Sequence, residues 1–214
     1  MSSTIVHANE SARSTEVASE HYSWQARLLH WLVALLIIGM LGLGFFLEDI
    51  PRNTPERAFY VNLHKSFGVL VFALVLVRWL WRITHRSPPL PAHLPWWEVL
   101  AATWTHKLLY LCMFLQPLSG YLGSSFNKYG VKFFGIPLPQ WGWEDKALRS
   151  IFVEIHGGVA IVLLLLICLH VLAALKHLLL DKDQVFQRML PWRARGLRQG
   201  IPESKRRSAQ EPAR

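Results

Sequence analysis

Cysteine is almost absent from this chain. Its 214 residues include two, Cys112 and Cys168, each inside an apolar run. Two residues make no disulfide framework, and no C-x-x-C-H segment offers the thiols that covalent attachment of a c-type haem requires. Both cysteines are read as small apolar packing residues. Charge is scarce as well. Asp, Glu, Lys and Arg make up 17% of the chain and apolar residues 52%, whereas soluble domains carry about 25% charge. Acid is the scarcer sign, with 14 Asp and Glu against 23 Lys and Arg. The basic surplus does not point to nucleic acid, because no motif of that class accompanies it. Ten of the 23 basic residues lie from Lys176 onward, a polybasic segment of the kind that meets anionic lipid on the cytoplasmic side of a membrane. The first 22 residues contain no apolar h-region, so no cleaved signal peptide is expected.

What the chain does have is long apolar runs. A spanning helix needs about 20 mainly apolar residues, and four segments qualify: 28–47, 61–80, 108–124 and 151–175. The expected fold is all-α, a four-helix transmembrane bundle over residues 22–185. It is flanked by a polar N-terminal tail (1–21), expected to be disordered, and a basic tail (186–214). The third segment is the weakest, since Gln116-Pro117 interrupts it and proline should bend the helix. Residues 81–107 read as a loop with four prolines and a basic balance; residues 125–150 read as an ordered interfacial loop rich in Gly, Pro and Trp. The basic second loop and tail place both termini in the cytoplasm.

Ionisable groups inside spans are costly and mark function by default. Four of the ten histidines fall there: His30, His64, His156 and His170. With alternating helix directions, His30 and His170 share the cytoplasmic level, and His64 and His156 the outer level. The 14 residues from His156 to His170 are nearly four turns, about 21 Å along the axis, so two planar groups could stack along one side of the last helix. Zinc takes three or four protein ligands, whereas a haem iron needs two beyond its macrocycle. Paired histidines therefore point to two b-type haems rather than metal ions alone. His106 and His177 are rivals for the cytoplasmic site, but both sit outside the apolar runs beside lysines. Arg78, Arg82 and Lys65 could pair with haem propionates or simply reach the interface.

The stretches RLLHWLVALL (27–36), LHKSFGVLVFALVLVRWLWR (63–82), PLSGYLGSS (117–125) and the segment 154–191 resemble the bacterial cytochrome b561 family of four-helix dihaem proteins. That resemblance implies His30 and His170 as ligands of the cytoplasmic haem and His64 and His156 of the outer one. It also implies a place in the bacterial inner membrane, and electron exchange with ubiquinone or another membrane quinone. A relative that looks like a superoxide oxidase suggests a small anionic donor at the outer face. Lys65, Lys128, Lys132, Lys146 and Arg149 would attract such an anion there, diluted by nearby acids. Two other readings stay open: a haem-bearing anchor subunit that relays electrons for a partner redox enzyme, and a histidine-lined metal transporter. Lipid is the expected partner in every case.

Overall fold

The computed structural model describes residues 22–85, 88, 94–183 and 185–190. Four long helices dominate: α1 (Trp24–Asp49), α2 (Pro55–Thr84), α3 (Trp96–Ser125) and α4 (Lys146–Lys176). Each neighbours the next in sequence along the bundle. The polar N-terminal tail and most of the basic C-terminal tail lie outside the described residues.

Local chemistry sets the helix starts. Ser23 caps α1 by accepting from the Ala26 amide at 3.3 Å, and Thr54 accepts from the Arg57 amide at 3.2 Å ahead of Pro55. The Asp145 carboxylate takes the Ala147 and Leu148 amides at 2.9 and 3.0 Å. Side-chain oxygens of this kind satisfy amides that the first turn of a helix leaves free. Arg57 then ties α1 to α2, donating to the carbonyls of Leu47 and Ile50.

The helices run longer than the apolar segments that announce them. The largest difference is α3, which starts at Trp96 rather than near 108 and continues through Pro117. Residues 96–107 are helix where a loop was expected. The reason is physical: an apolar run measures the hydrocarbon-facing part of a helix, while the hydrogen-bonded ladder continues into the polar interface. By length and composition α1, α2 and α4 are apolar enough to cross a membrane; α3 is not, carrying Glu98, His106, Lys107 and Gln116.

Burial is inverted relative to a soluble protein. The core is a thin seam of Val33, Ile37, Val71, Val75, Leu109, Cys112 and Leu163. Large apolar side chains such as Leu35, Leu165 and Leu172 are about two-thirds exposed, at 65%, 64% and 64%. Exposed apolar surface on this scale belongs against lipid.

Between α3 and α4, a two-strand hairpin (β1 Lys132–Phe133, β2 Ile136–Pro137) covers one end of the bundle. Its turn residues Phe134 and Gly135 have φ of 47° and 96°, the double positive φ of a tight hairpin turn. Ser66 on α2 anchors it, accepting from the Phe134 amide at 2.9 Å, while its one proton is shared between the Asn62 carbonyl at 2.8 Å and the Lys132 carbonyl at 3.1 Å. The opposite end, the terminal end, carries the start of α1 and the end of α4. There a π-turn (His177–Asp181) and a short 3₁₀ turn (Gln187–Met189) follow α4. Trp31 donates to the Met189 carbonyl at 2.7 Å and Arg27 to the Leu190 carbonyl at 2.9 Å, so the segment docks on α1. Ser66→Ala should loosen the hairpin by about 1 kcal/mol, because the Phe134 amide loses its acceptor in a partly buried place. Amide hydrogen exchange over 131–138 should accelerate accordingly; protection equal to wild type would show that Ser66 is not the anchor.

Candidate functional site

Helix α4 supplies one histidine at each end of the bundle. At the terminal end, His170 faces His30 of α1 with ring centres 6.3 Å apart and planes at 76°. At the hairpin end, His156 faces His64 of α2 at 6.1 Å and 76°. All four rings are partly buried. A metal–imidazole bond is about 2 Å long and a ring centre lies roughly 1 Å behind its nitrogen, so two imidazoles on opposite sides of one metal ion have centres about 6 Å apart. Both pairs meet that spacing, and each offers two ligands, the number that a haem iron leaves to the protein.

The His156 ring is held in the tautomer that metal binding needs. Its Nδ1 lies 2.8 Å from the Gln116 carbonyl. A carbonyl can only accept, so Nδ1 carries the proton and Nε2 keeps its lone pair. The Gln116 side-chain amide approaches Nε2 at 3.2 Å, and Ser119 Oγ lies 3.3 Å from Nδ1. Gly120 completes the cradle: a Cβ there would lie 2.9 Å from His156 Cε1 and 3.0 Å from its Nδ1. His64 differs, since its Nδ1 is buried without a hydrogen-bond partner. Such an orphan is costly in apolar surroundings, and beside a facing imidazole at metal-spanning distance it suits a site made for an iron-bearing group.

At the terminal end Arg78 reaches in from α2. Its Nη2 donates to His30 Nδ1 and its Nη1 to the Tyr110 hydroxyl, both at 3.1 Å. Were His30 to bind iron through Nε2, its proton would move to Nδ1 and Arg78 would lose that acceptor. Its guanidinium would then suit a carboxylate such as a haem propionate. Beside this pair lies a cavity of about 600 Å³ whose lining includes Tyr22, Trp79, Arg82, His106, Lys107 and Tyr110. Lys65 stands elsewhere: it donates to the Gly130 carbonyl at 2.8 Å and so braces the loop ahead of the hairpin.

Sequence reasoning set His106 aside as lying beyond its apolar run. Because α3 begins so early, its ring in fact stands 5.2 Å from that of His170. That is closer than the sandwich spacing, and its Nδ1 donates to the Ala102 carbonyl at 2.7 Å. His177 lies apart from this group, among carboxylates. Gln116, Ser119, Gly120 and Tyr110 were also passed over; their signal is the four-residue spacing of Gln116 and Gly120, which puts both on one face of α3.

The family model described as prokaryotic cytochrome b561 matches residues 21–192. The chain belongs to that family. It is a membrane protein that binds b-type haem and transfers electrons. Cytochrome b561 homolog 2 of Escherichia coli (strain K12) is 32% identical over 180 residues, 80% of this chain and 92% of that protein. Cytochrome b561 homolog 1 of the same organism is 25% identical over 169 residues, 77% of this chain and 94% of its own length. A Yersinia pestis protein named probable superoxide oxidase CybB is 28% identical over 169 residues, 76% of this chain and 92% of that protein.

Gly120→Ala tests the cradle in this b561 protein. The added methyl must push the His156 ring aside, an overpacking of the kind that costs about 1–3 kcal/mol, and haem per chain should fall. Gly158→Ala, where a Cβ would meet no atom within 4 Å, serves as the control. Full haem in purified Gly120→Ala would show that the cradle does not hold the ligand.

Proposed function

We propose that this b561 protein holds two haems, one between His30 and His170 and one between His64 and His156, and uses them to pass electrons from a donor at the outer face to a membrane quinone. The observation that carries this reading is the pair of ring separations, 6.3 and 6.1 Å, one at each end of α4. Each haem, when bound, would accept and release one electron. The protein's own share is to fix the imidazoles, exclude water and set the charge around each site. The orientation that fits is both termini in the cytoplasm of a bacterial inner membrane, because Arg82, Arg86 and Lys107 gather around the connection from α2 to α3 and the C-terminal tail holds further Lys and Arg.

The hairpin end is then the outer face. Lys128, Lys132, Lys146 and Arg149 are exposed there, and a basic rim raises the encounter rate of a small anion such as superoxide. The name of the Yersinia relative is consistent with that donor. Lys65 is spent on the Gly130 carbonyl and serves the loop rather than the rim. The quinone, ubiquinone or another of the membrane quinones, would approach at the terminal end, where the cavity beside His30 and His170 joins aromatic walls to the basic Arg82 and Lys107. Arg78, placed between His30 and Tyr110, would hold a propionate.

Single alanine variants separate the roles. Removing His30 or His170 should abolish the haem at the terminal end, and removing His64 or His156 the other one, each leaving about one haem per chain. His106→Ala and His177→Ala should keep both. Haem content with a redox titration of the six variants decides the matter. Loss of a haem in His106→Ala or His177→Ala, with one of the four named histidines dispensable, would overturn the assignment.

A further inference from the structure

Helices α1 and α2 run antiparallel in one register from the hairpin end to the terminal end. A Cβ at Gly44 would lie 3.6 Å from His64 Cε1, and a Cβ at Gly68 3.7 Å from Met40 Cε. Further along, Arg78 Nη2 donates to His30 Nδ1 at 3.1 Å. Every step back along α1 is matched by an equal step forward along α2. Continued by three residues, about 4.5 Å of axis, the same register sets Arg27 opposite Trp81. A spacing of three keeps each on the face of the residue before it, so both lie on the terminal side of the His30–Arg78 contact.

These two residues share an unmet need. Arg27 Nε and Trp81 Nε1 are both buried, and neither has a hydrogen-bond acceptor. Leaving such a donor unmet is costly, and here two stand at one level. Other contacts fix both side chains. Arg27 Nη1 donates to the Leu190 carbonyl at 2.9 Å, and the Trp81 ring stacks on His85 at 3.9 Å with planes 5° apart. The carboxylates described at this end, Glu98, Asp181 and Asp183, are engaged with Lys176 and His177. A carboxylate brought from outside the chain would answer both donors at once, since its two oxygens accept only and bind a guanidinium strongly.

We propose that Arg27 Nε and Trp81 Nε1 form the seat of a haem propionate at the terminal end. This rests on the reading of a haem between His30 and His170. Haem b carries two propionates on one edge of its macrocycle. Arg78, beside His30, takes one, and Arg27 with Trp81 takes the other, one turn nearer the terminal face. Arg27 supplies the charge, and the indole N–H fixes the direction of approach. Both are positioning residues, and neither was among the basic side chains that the sequence put forward. Their effect reaches the iron through charge: a propionate without its cation leaves negative charge near the iron and disfavours reduction.

The test uses the purified, haem-loaded full chain and two variants. Trp81→Phe removes the N–H and keeps an aromatic ring, and Arg27→Met removes the guanidinium. Trp31→Phe is the control, because it breaks the bond to Met189 that docks the same segment and touches neither proposed donor. Resonance Raman spectroscopy reads the propionate-bending band, and a redox titration reads each haem. In both variants the band should move to lower frequency. One haem should become harder to reduce, in Arg27→Met by about tenfold in its equilibrium constant, or about 59 mV for one electron. Trp31→Phe should move neither reading. A band unmoved in Trp81→Phe or in Arg27→Met, as when the donors hold a lipid phosphate instead, overturns the proposal, and so does a band moved as far by Trp31→Phe. Haem content unchanged by His30→Ala overturns the haem reading itself, whatever the band does.

Discussion

An imidazole ring in a hydrocarbon layer must have its nitrogens occupied, because no water is there to occupy them. That constraint organises this bundle. His156 meets it with the Gln116 carbonyl at Nδ1 and the Gln116 side-chain amide at Nε2, with the His64 ring facing it. His30 meets it with Arg78 on Nδ1 and His170 across the bundle. His64 leaves Nδ1 unmet, so the hairpin end is the one where burial of the pair depends most on what it binds. The helices, the glycine at 120 and the hairpin anchored on Ser66 serve to keep these rings facing each other.

The two ends are built differently around the same motif. At the hairpin end the groups that touch the His156 ring are neutral, an amide, a hydroxyl and a glycine, and the loop braced by Lys65 and Ser66 lies beyond them. At the terminal end the surroundings are charged and open, with Arg78, Arg82, Lys107 and a cavity beside the rings. A covered site suits the passage of an electron alone, and an open site with ionisable neighbours suits chemistry in which protons accompany the electron. The direction of transfer proposed above follows from this asymmetry together with the distribution of Lys and Arg.

Much of this was legible in the sequence. Four apolar runs announce four helices, and the levels of four histidines within them announce which rings can meet. What could not be read was anything decided by contact between helices. Helix α3 begins a dozen residues ahead of its apolar run because hydrogen bonding does not stop where lipid does, and that shift brings His106 beside His170. Gly120 resembles any other membrane glycine until the His156 ring is seen against it. Lys65, next to His64 in sequence, looks like a partner for a bound group, yet its side chain turns to the Gly130 carbonyl. The His177 cluster was hidden for a similar reason: Glu98 lies 79 positions away in the chain and joins it only once α3 and α4 pack together.

The central claim is that two irons sit in this chain, each between two imidazoles. Low-temperature electron paramagnetic resonance of the oxidised wild-type protein, with spins counted against protein, reads it directly. The account predicts two low-spin ferric signals that integrate to about two spins per chain, since two axial imidazoles give a strong field at each iron. A high-spin signal as the main species, or a total near one spin per chain, would contradict it.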